Sequence, residues 1–174
     1  VQDAQVSAYK NAIDAMTDLA NGKLDCVIWD ELPSQRAVAK RDGLRIVEGL
    51  ELTAEEYAIA VQKGNTELLE KINASIARMK SDGTLEAIAK AYETEDSERM
   101  PAVDLSGNTE TLVMGTNAQF EPFEYRENNE IVGFDVDMPM QIPKDAGYNL
   151  KIEDMEFGGI IAAVQSGKVD MAIA

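Results

Sequence analysis

Leu112 to Asp137, LVMGTNAQFEPFEYRENNEIVGFDVD, is the stretch from which the fold can be read. An apolar run (Leu112, Val113, Met114) stops at Gly115-Thr116-Asn117. A loop carrying Phe120, Pro122, Phe123 and Tyr125 follows, then a polar turn over 127–130, then Ile131-Val132-Gly133-Phe134 and Asp135. The pattern predicts a buried strand feeding an aromatic loop, a hairpin-like turn, and a helix entered at Asp135 or Asp137. Ligands of open α/β sheets sit in the crevice outside the carboxyl ends of the strands. That rule places Asn117 and Phe120 at such a crevice.

Outward from this stretch, strands and helices alternate. Leu150-Lys151-Ile152 reads as a strand, Ile160 to Ser166 as a helix ending at Gly167, and Val169 to Ala174 as a final strand. Toward the N-terminus, Tyr57 to Val61 reads as a strand. Asn65 or Thr66 caps a helix through Lys80 whose apolar stripe is Leu68, Leu69, Ile72, Ile76 and Met79. Burying that stripe contributes roughly 8–15 kcal/mol before entropy is subtracted. Gly83 ends the helix, and Thr84 opens another through Tyr92. Earlier still, Ser7 to Ala20 carries a helical stripe (Ala12, Ile13, Met16, Leu19) closed by Asn21-Gly22. Leu24 to Trp29 reads as a buried strand stopping at Asp30, and a short helix is predicted over 35–40 after Pro33. Glu93 to Glu110, ETEDSERMPAVDLSGNTE, is acidic and without periodicity, which marks a linker over 94–110.

Two segments repeat one another. Leu19-Ala20-Asn21-Gly22-Lys23-Leu24-Asp25 followed by Cys26-Val27-Ile28 matches Val164-Gln165-Ser166-Gly167-Lys168-Val169-Asp170 followed by Met171-Ala172-Ile173. Each is a helix, a Gly-Lys turn, an Asp and an apolar strand. One αβ unit used twice suggests two similar lobes, each an open, mostly parallel sheet.

Composition narrows the function. Against 32 acidic residues stand 16 basic ones, a net charge of −16 that opposes phosphate backbones and anionic lipid. No nucleic-acid partner is expected. The chain has no histidine, which removes the commonest metal ligand and general base. No metal, cofactor or catalytic group is therefore expected. The one cysteine, Cys26, excludes an internal disulfide, and its apolar neighbours predict a buried, inert thiol. No apolar run approaches a membrane span, and Val1-Gln2-Asp3 does not begin a signal peptide.

TNAQFEPFEY followed by IVGFDVD resembles the opening of the extracytoplasmic solute-binding proteins that feed polar amino acids to ABC transporters. DAMTDLANGKLDCVIWDELP and EEYAIAVQKGNTELLEKINASIARMKSDGTLEAIAKAYE resemble the same family's C-terminal half. The family's back half thus precedes its front half, by circular permutation or at the junction of two tandem copies. The resemblance implies an α/β, periplasmic-binding-protein-like type II fold of two lobes. Residues 1–52 would be part of the second lobe, 53–93 the C-terminal part of the first, and 111–174 its N-terminal part. The strand at 169–174 continues in the family into a turn and an arginine that grips the ligand's α-carboxylate, and the chain stops at Ala174. Met138 to Pro143 also departs from the family, with two prolines in a normally proline-free helix. A kinked or shortened helix is expected there.

By the same resemblance, Phe120 and Phe157 supply rings against the ligand's side chain. Asn117 stands where binders of cationic amino acids often carry Asp, which favours a glutamine-like or other neutral polar ligand. Asp30 would meet the ligand's α-ammonium, and Ala174 would offer a backbone contact.

The implied function is capture of a small polar amino acid, periplasmic or extracellular, with or without a lipid anchor, for delivery to ABC-transporter membrane subunits. An alternative is a periplasmic dehydratase acting on a cyclohexadienyl substrate, with Glu124 or Glu31 as acid. A second is the ligand-sensing domain of a receptor. Unpaired strand edges are templates for pairing. The chain is therefore expected to belong to a longer polypeptide or to associate with a second chain, a homodimer included, and alone to bind amino acids weakly or not at all.

Overall fold

Leu112 and Met114 pack into one apolar core and Val113 against another, the period-two alternation that the central strand of a sandwiched sheet requires. The computed structural model describes residues 3–50, 56–94 and 99–174. They fall into two compact units, Val1–Thr53 and Ala54–Ala174.

In the larger unit, sheet A has the order β1-β7-β2-β6. Strand β2 (Glu110–Thr116) runs parallel to β6 (Tyr148–Asp154) over its whole length and parallel to β7 (Met171–Ala172). Strand β1 (Ala60–Val61) closes the edge antiparallel, Ala60 opposite Ala172. Both β1 and β7 are shorter than the expected 57–61 and 169–174, and Tyr57 is 62% exposed. Pairing ends where the neighbouring strand ends.

Helix α3 (Thr66–Asp82) begins where the Asn65 side chain accepts the Leu68 N–H, and ends at Gly83, whose φ of 81° closes the C-terminus without a Cβ penalty. Its inward face differs from the expected stripe by one step. Leu69 is exposed and Ser75 is buried, because Ser75 Oγ donates to Asp145. Helix α4 (Thr84–Lys90) follows at once. One core joins Leu68, Ile72, Met79, Ile88 and Tyr92 to Leu112, Met114, Met171 and Ile173, so residues on both sides of 94–110 share it. Of that segment, residue 94 and residues 99–109 lie in no helix or strand while Glu110 already opens β2, yet Met100 packs on this core and Asn108 Nδ2 donates to the Tyr148 carbonyl.

A three-stranded antiparallel sheet B follows: β3 (Gln119–Phe120), β4 (Glu124–Glu127) and β5 (Glu130–Val132). The prolines do break the next helix. Helix α5 (Phe134–Asp137) stops before Pro139, and α6 (Gln141–Ala146) restarts with Pro143 as its third residue. There the missing N–H has no intrahelical partner to lose, so the sequence's two-proline cost is avoided. A 3₁₀ turn (Phe157–Gly159) leads into α7 (Ile160–Ser166), which covers the other face of sheet A through Ile160, Ala163 and Val164.

The smaller unit holds α1 (Ala12–Ala20), capped by Asn11, and α2 (Glu31–Ala39), which starts earlier than expected and takes Pro33 into its first turn. The helix expected from Ser7 is confined to α1. Leu24 to Trp29 forms no strand, and Cys26 is exposed rather than buried. The reason is physical: a strand exists only through a partner, and the described residues of this unit include no other strand.

Candidate functional site

The C-terminal ends of β2, β6 and β7 lie side by side, so the three segments that leave them share one edge of sheet A. The segment after β2 carries Asn117 and Phe120, that after β6 carries Phe157, and that after β7 carries Ala174. Four of the five residues singled out in the sequence are thereby gathered at one sheet edge. Asp30 belongs to the other unit. It occupies the N-cap position of α2, where its carbonyl accepts the Ser34 N–H (3.0 Å) while its side chain makes no capping bond.

Two polar stitches fix this edge. Asn117 Nδ2 donates to the Met155 carbonyl (2.9 Å), and the Met155 N–H donates to the Thr116 carbonyl (2.9 Å). With one of its two N–H donors engaged, the Asn117 amide keeps its carbonyl oxygen as an acceptor beside its second N–H. Asp154, at the end of β6, accepts the Ala118 N–H through Oδ1 (3.0 Å) and the Arg126 guanidinium through Oδ2 (2.7 Å). Sequence reading overlooked Asp154 and Arg126, which lie on separate strands with no local pattern to join them.

The aromatic loop is a cluster, not a single ring. Phe120 stacks on Phe123 with centroids 5.3 Å apart and planes at 22°. Tyr57 tilts against the other partner, Phe123, at 5.3 Å, and Phe134 meets Phe123 edge-on at 6.2 Å. Phe123 is the hub: it stacks on Phe120 and is itself held by Tyr57 and Phe134, rings from two other segments. Phe157 is 60% exposed, a ring with most of its surface available. Ala174 is exposed as well.

Behind the loop, Glu124 is buried at 1% exposure and hydrogen-bonds Asp135. Burial and the neighbouring carboxyl push Glu124 up to about 9, and burial raises Asp135 to about 6. A carboxyl so enclosed is poorly placed to meet a substrate. Glu31, the other acid considered, is an exposed first-turn residue of α2. Among the described residues, no group of three His, Cys, Asp or Glu could hold a metal ion. No helix among them is long and apolar enough to cross a membrane. A separate hollow between α3 and α6, lined by Lys71, Ser75, Arg78 and Asp145, is internally neutralised: Arg78 pairs with Asp145 and Asp82.

Three curated proteins resemble parts of the chain. The arginine-binding extracellular protein ArtP of Bacillus subtilis is 44% identical over 63 residues, 36% of this chain and 25% of that protein. The L-cystine-binding protein TcyJ of Escherichia coli is 33% identical over 92 residues, 53% of this chain and 35% of that protein. The ABC transporter glutamine-binding protein GlnH of Bacillus subtilis is 34% identical over 94 residues, 54% of this chain and 34% of that protein. The chain thus spans about a third or less of the length of these relatives. The mixed α/β architecture with its mostly parallel sheet is that of a type II solute-binding fold, present in part. The model of the bacterial extracellular solute-binding proteins, family 3, matches residues 6–95 and 112–174, and the chain belongs to that family.

Proposed function

We propose that the chain is a binding module for a polar amino acid whose side chain ends in an N–H donor, glutamine-like in size and neutral in charge. It would act outside the cytoplasmic membrane and hand its ligand to the membrane subunits of an ABC transporter. The Asn117 stitch to Met155 carries the reading. It leaves an amide oxygen as acceptor beside a stacked Phe120, and an acceptor without charge suits an amide better than a guanidinium, which a carboxylate would stabilise more. In the same reading residues 1–52 contribute to a second lobe, with Asp30 meeting the ligand's α-ammonium. Segments 53–93 and 111–174 build the first lobe, 94–110 links them, and Phe157 and Ala174 complete its rim. Capture occurs without turnover.

The 44% identity to an arginine-binding protein favours a second reading, in which arginine is the ligand. Thermal shift and calorimetry with each amino acid, and with prephenate-like acids, separate these. Glutamine at millimolar concentration should raise the melting temperature of the native chain and leave Asn117→Ala unmoved. A response to arginine alone transfers the assignment, and a response confined to the cyclic acids ends it.

A further inference from the structure

The sheet edge that carries Asn117 also holds a carboxylate, and the chain supplies that carboxylate with a cation of its own. Asn117 Nδ2 donates to the Met155 carbonyl and the Ala118 N–H donates to Asp154 Oδ1, so the strand ends carrying these residues are laced side by side. The Asp154 side chain is thereby fixed against the residue that follows Asn117. Its Oδ1 is engaged by the backbone, and its Oδ2 receives both Arg126 Nε (3.2 Å) and Arg126 Nη2 (2.7 Å). Lys151, the one cation on β6, is held by Glu153 (2.9 Å), two residues along on the same face of the strand and opposite to Asp154.

Arg126 reaches this carboxylate through the register of the hairpin. Phe120 stands opposite Glu124 across β3 and β4, and Arg126 lies two residues beyond Glu124, so Phe120 and Arg126 share one face of sheet B. The Asp154 and Arg126 side chains are 27% and 49% exposed, so neither is sealed inside the protein. An ion pair this exposed contributes little to stability. Its consequence is for charge. A carboxylate fixed at a ligand crevice attracts a guanidinium or an ammonium through charge-assisted hydrogen bonds. With Arg126 seated on Oδ2, an arriving cation meets a neutralised carboxylate and a like charge beside it. That is the repulsive element by which a site discriminates against a wrong ligand.

We infer that Arg126 is a specificity-determining residue: seated on Asp154, it stands in for a cationic ligand side chain, so that the edge refuses arginine and lysine and admits a neutral amide at Asn117. The inference rests on the proposed reading of this edge as the end of the site that meets the ligand's side chain, and adds to it the pair that sets the ligand's charge. Arg126 acts through Asp154 rather than by touching the ligand. Removing the guanidinium therefore exposes a ready carboxylate acceptor, and removing both groups takes that acceptor away again.

The test is calorimetry of the full chain with glutamine and with arginine, each to millimolar concentration. Four proteins are compared: native, Arg126→Gln, Arg126→Lys, and Arg126→Gln combined with Asp154→Asn, all checked for an unchanged far-ultraviolet circular dichroism spectrum. Arg126→Gln should bind arginine at least about tenfold more tightly than the native chain does. The combined variant should lose that gain, and Arg126→Lys, which keeps an internal cation, should continue to exclude arginine. No gain in arginine affinity in Arg126→Gln overturns the inference, as does a gain that survives Asp154→Asn or an equal gain in Arg126→Lys. The ratio of arginine affinities between Arg126→Gln and native decides the inference whichever amino acid the native chain prefers. The native preference alone decides the glutamine reading, so a native chain that ignores glutamine beside an Arg126→Gln chain that takes arginine ends that reading and supports this one.

Discussion

Glu124 on β4 and Asp135 on α5 hold a hydrogen bond between two carboxyl groups, with Glu124 almost wholly buried and its Oε2 without a partner among the described residues. The bond needs a proton, and both groups titrate above the usual carboxylate range. Raised folded-state values make the unfolded chain the weaker proton binder as pH rises. Stability from this pair is complete below the lower unfolded value, 3.8 for Asp135, and declines as pH rises until Glu124 ionises near 9. The slope is at most about 1.4 kcal/mol per pH unit for each proton retained. Urea unfolding of the native chain and of Glu124→Gln should show it: the variant keeps a donor for Asp135, and its stability should fall less steeply between pH 5 and 9. Parallel pH profiles would refute the shared proton.

Gly133 sets the geometry of that junction. Its φ is 137°, and a β-carbon added to it would overlap the carbonyl oxygen of Phe123. Gly133→Ala should cost roughly 2–4 kcal/mol from clash and backbone strain together. Gly107→Ala, at φ 90° with open space around it, should cost only about 1–2 kcal/mol. Denaturant midpoints for the two variants give the comparison, and equal losses would show that the close approach is unimportant.

The ring cluster and the exposed ring should separate stability from binding. Phe123→Ala removes the ring that touches Phe120, Tyr57 and Phe134, and should cost about 2–3 kcal/mol, less than a fully buried Phe because Phe123 is half-buried. Phe157→Ala, at 60% exposure, should stay within about 0.5 kcal/mol of the native stability. Its effect should fall on ligand affinity. Melting temperature with and without ligand reads both quantities in one experiment.

Arg78 ties α3 to α6. Its Nε meets Asp145 at 2.8 Å, one terminal nitrogen meets Asp82 at 2.8 Å and the other the buried Gln141 at 3.3 Å. The ion pairs alone are worth little at such exposure. Removing the guanidinium also strands the Gln141 oxygen, so Arg78→Ala should cost about 1–2 kcal/mol. Arg78→Lys should recover only part, since one ammonium cannot reach three partners in a plane. Urea midpoints at low and high salt check this, and a loss abolished by salt would reduce the brace to a surface charge effect.

Elements whose signal is local were legible. Helix α3 carries its cap, stripe and glycine stop within its own residues, and a shortened helix over 138–143 was legible from its two prolines, though not which of them would sit at the break. The strands were legible only where a pairing partner is also present among the described residues. Val169 to Ile173 and Leu24 to Ile28 look alike as sequence, yet one is paired and the other is not. Of the site, Asn117 and Phe120 could be found because a strand end and a loop adjoin. The hub role of Phe123, the Glu124–Asp135 bond and the Asp154–Arg126 clasp depend on which segments meet in space, and no period in the sequence encodes that.

The pairing of Ala60 with Ala172 bears on the order in which the chain can fold during synthesis. Helices α3 and α4 leave the ribosome well before β2, β6 and β7, the strands that bury Ile72, Met79 and Ile88. Until β2 and β6 emerge, those side chains have no sheet to cover, and β1 has no neighbour until β7 follows. A nascent chain is therefore committed to a long interval with a finished helix pair and an open apolar face. Transiently exposed apolar surface of that kind is what makes partly made chains prone to aggregate.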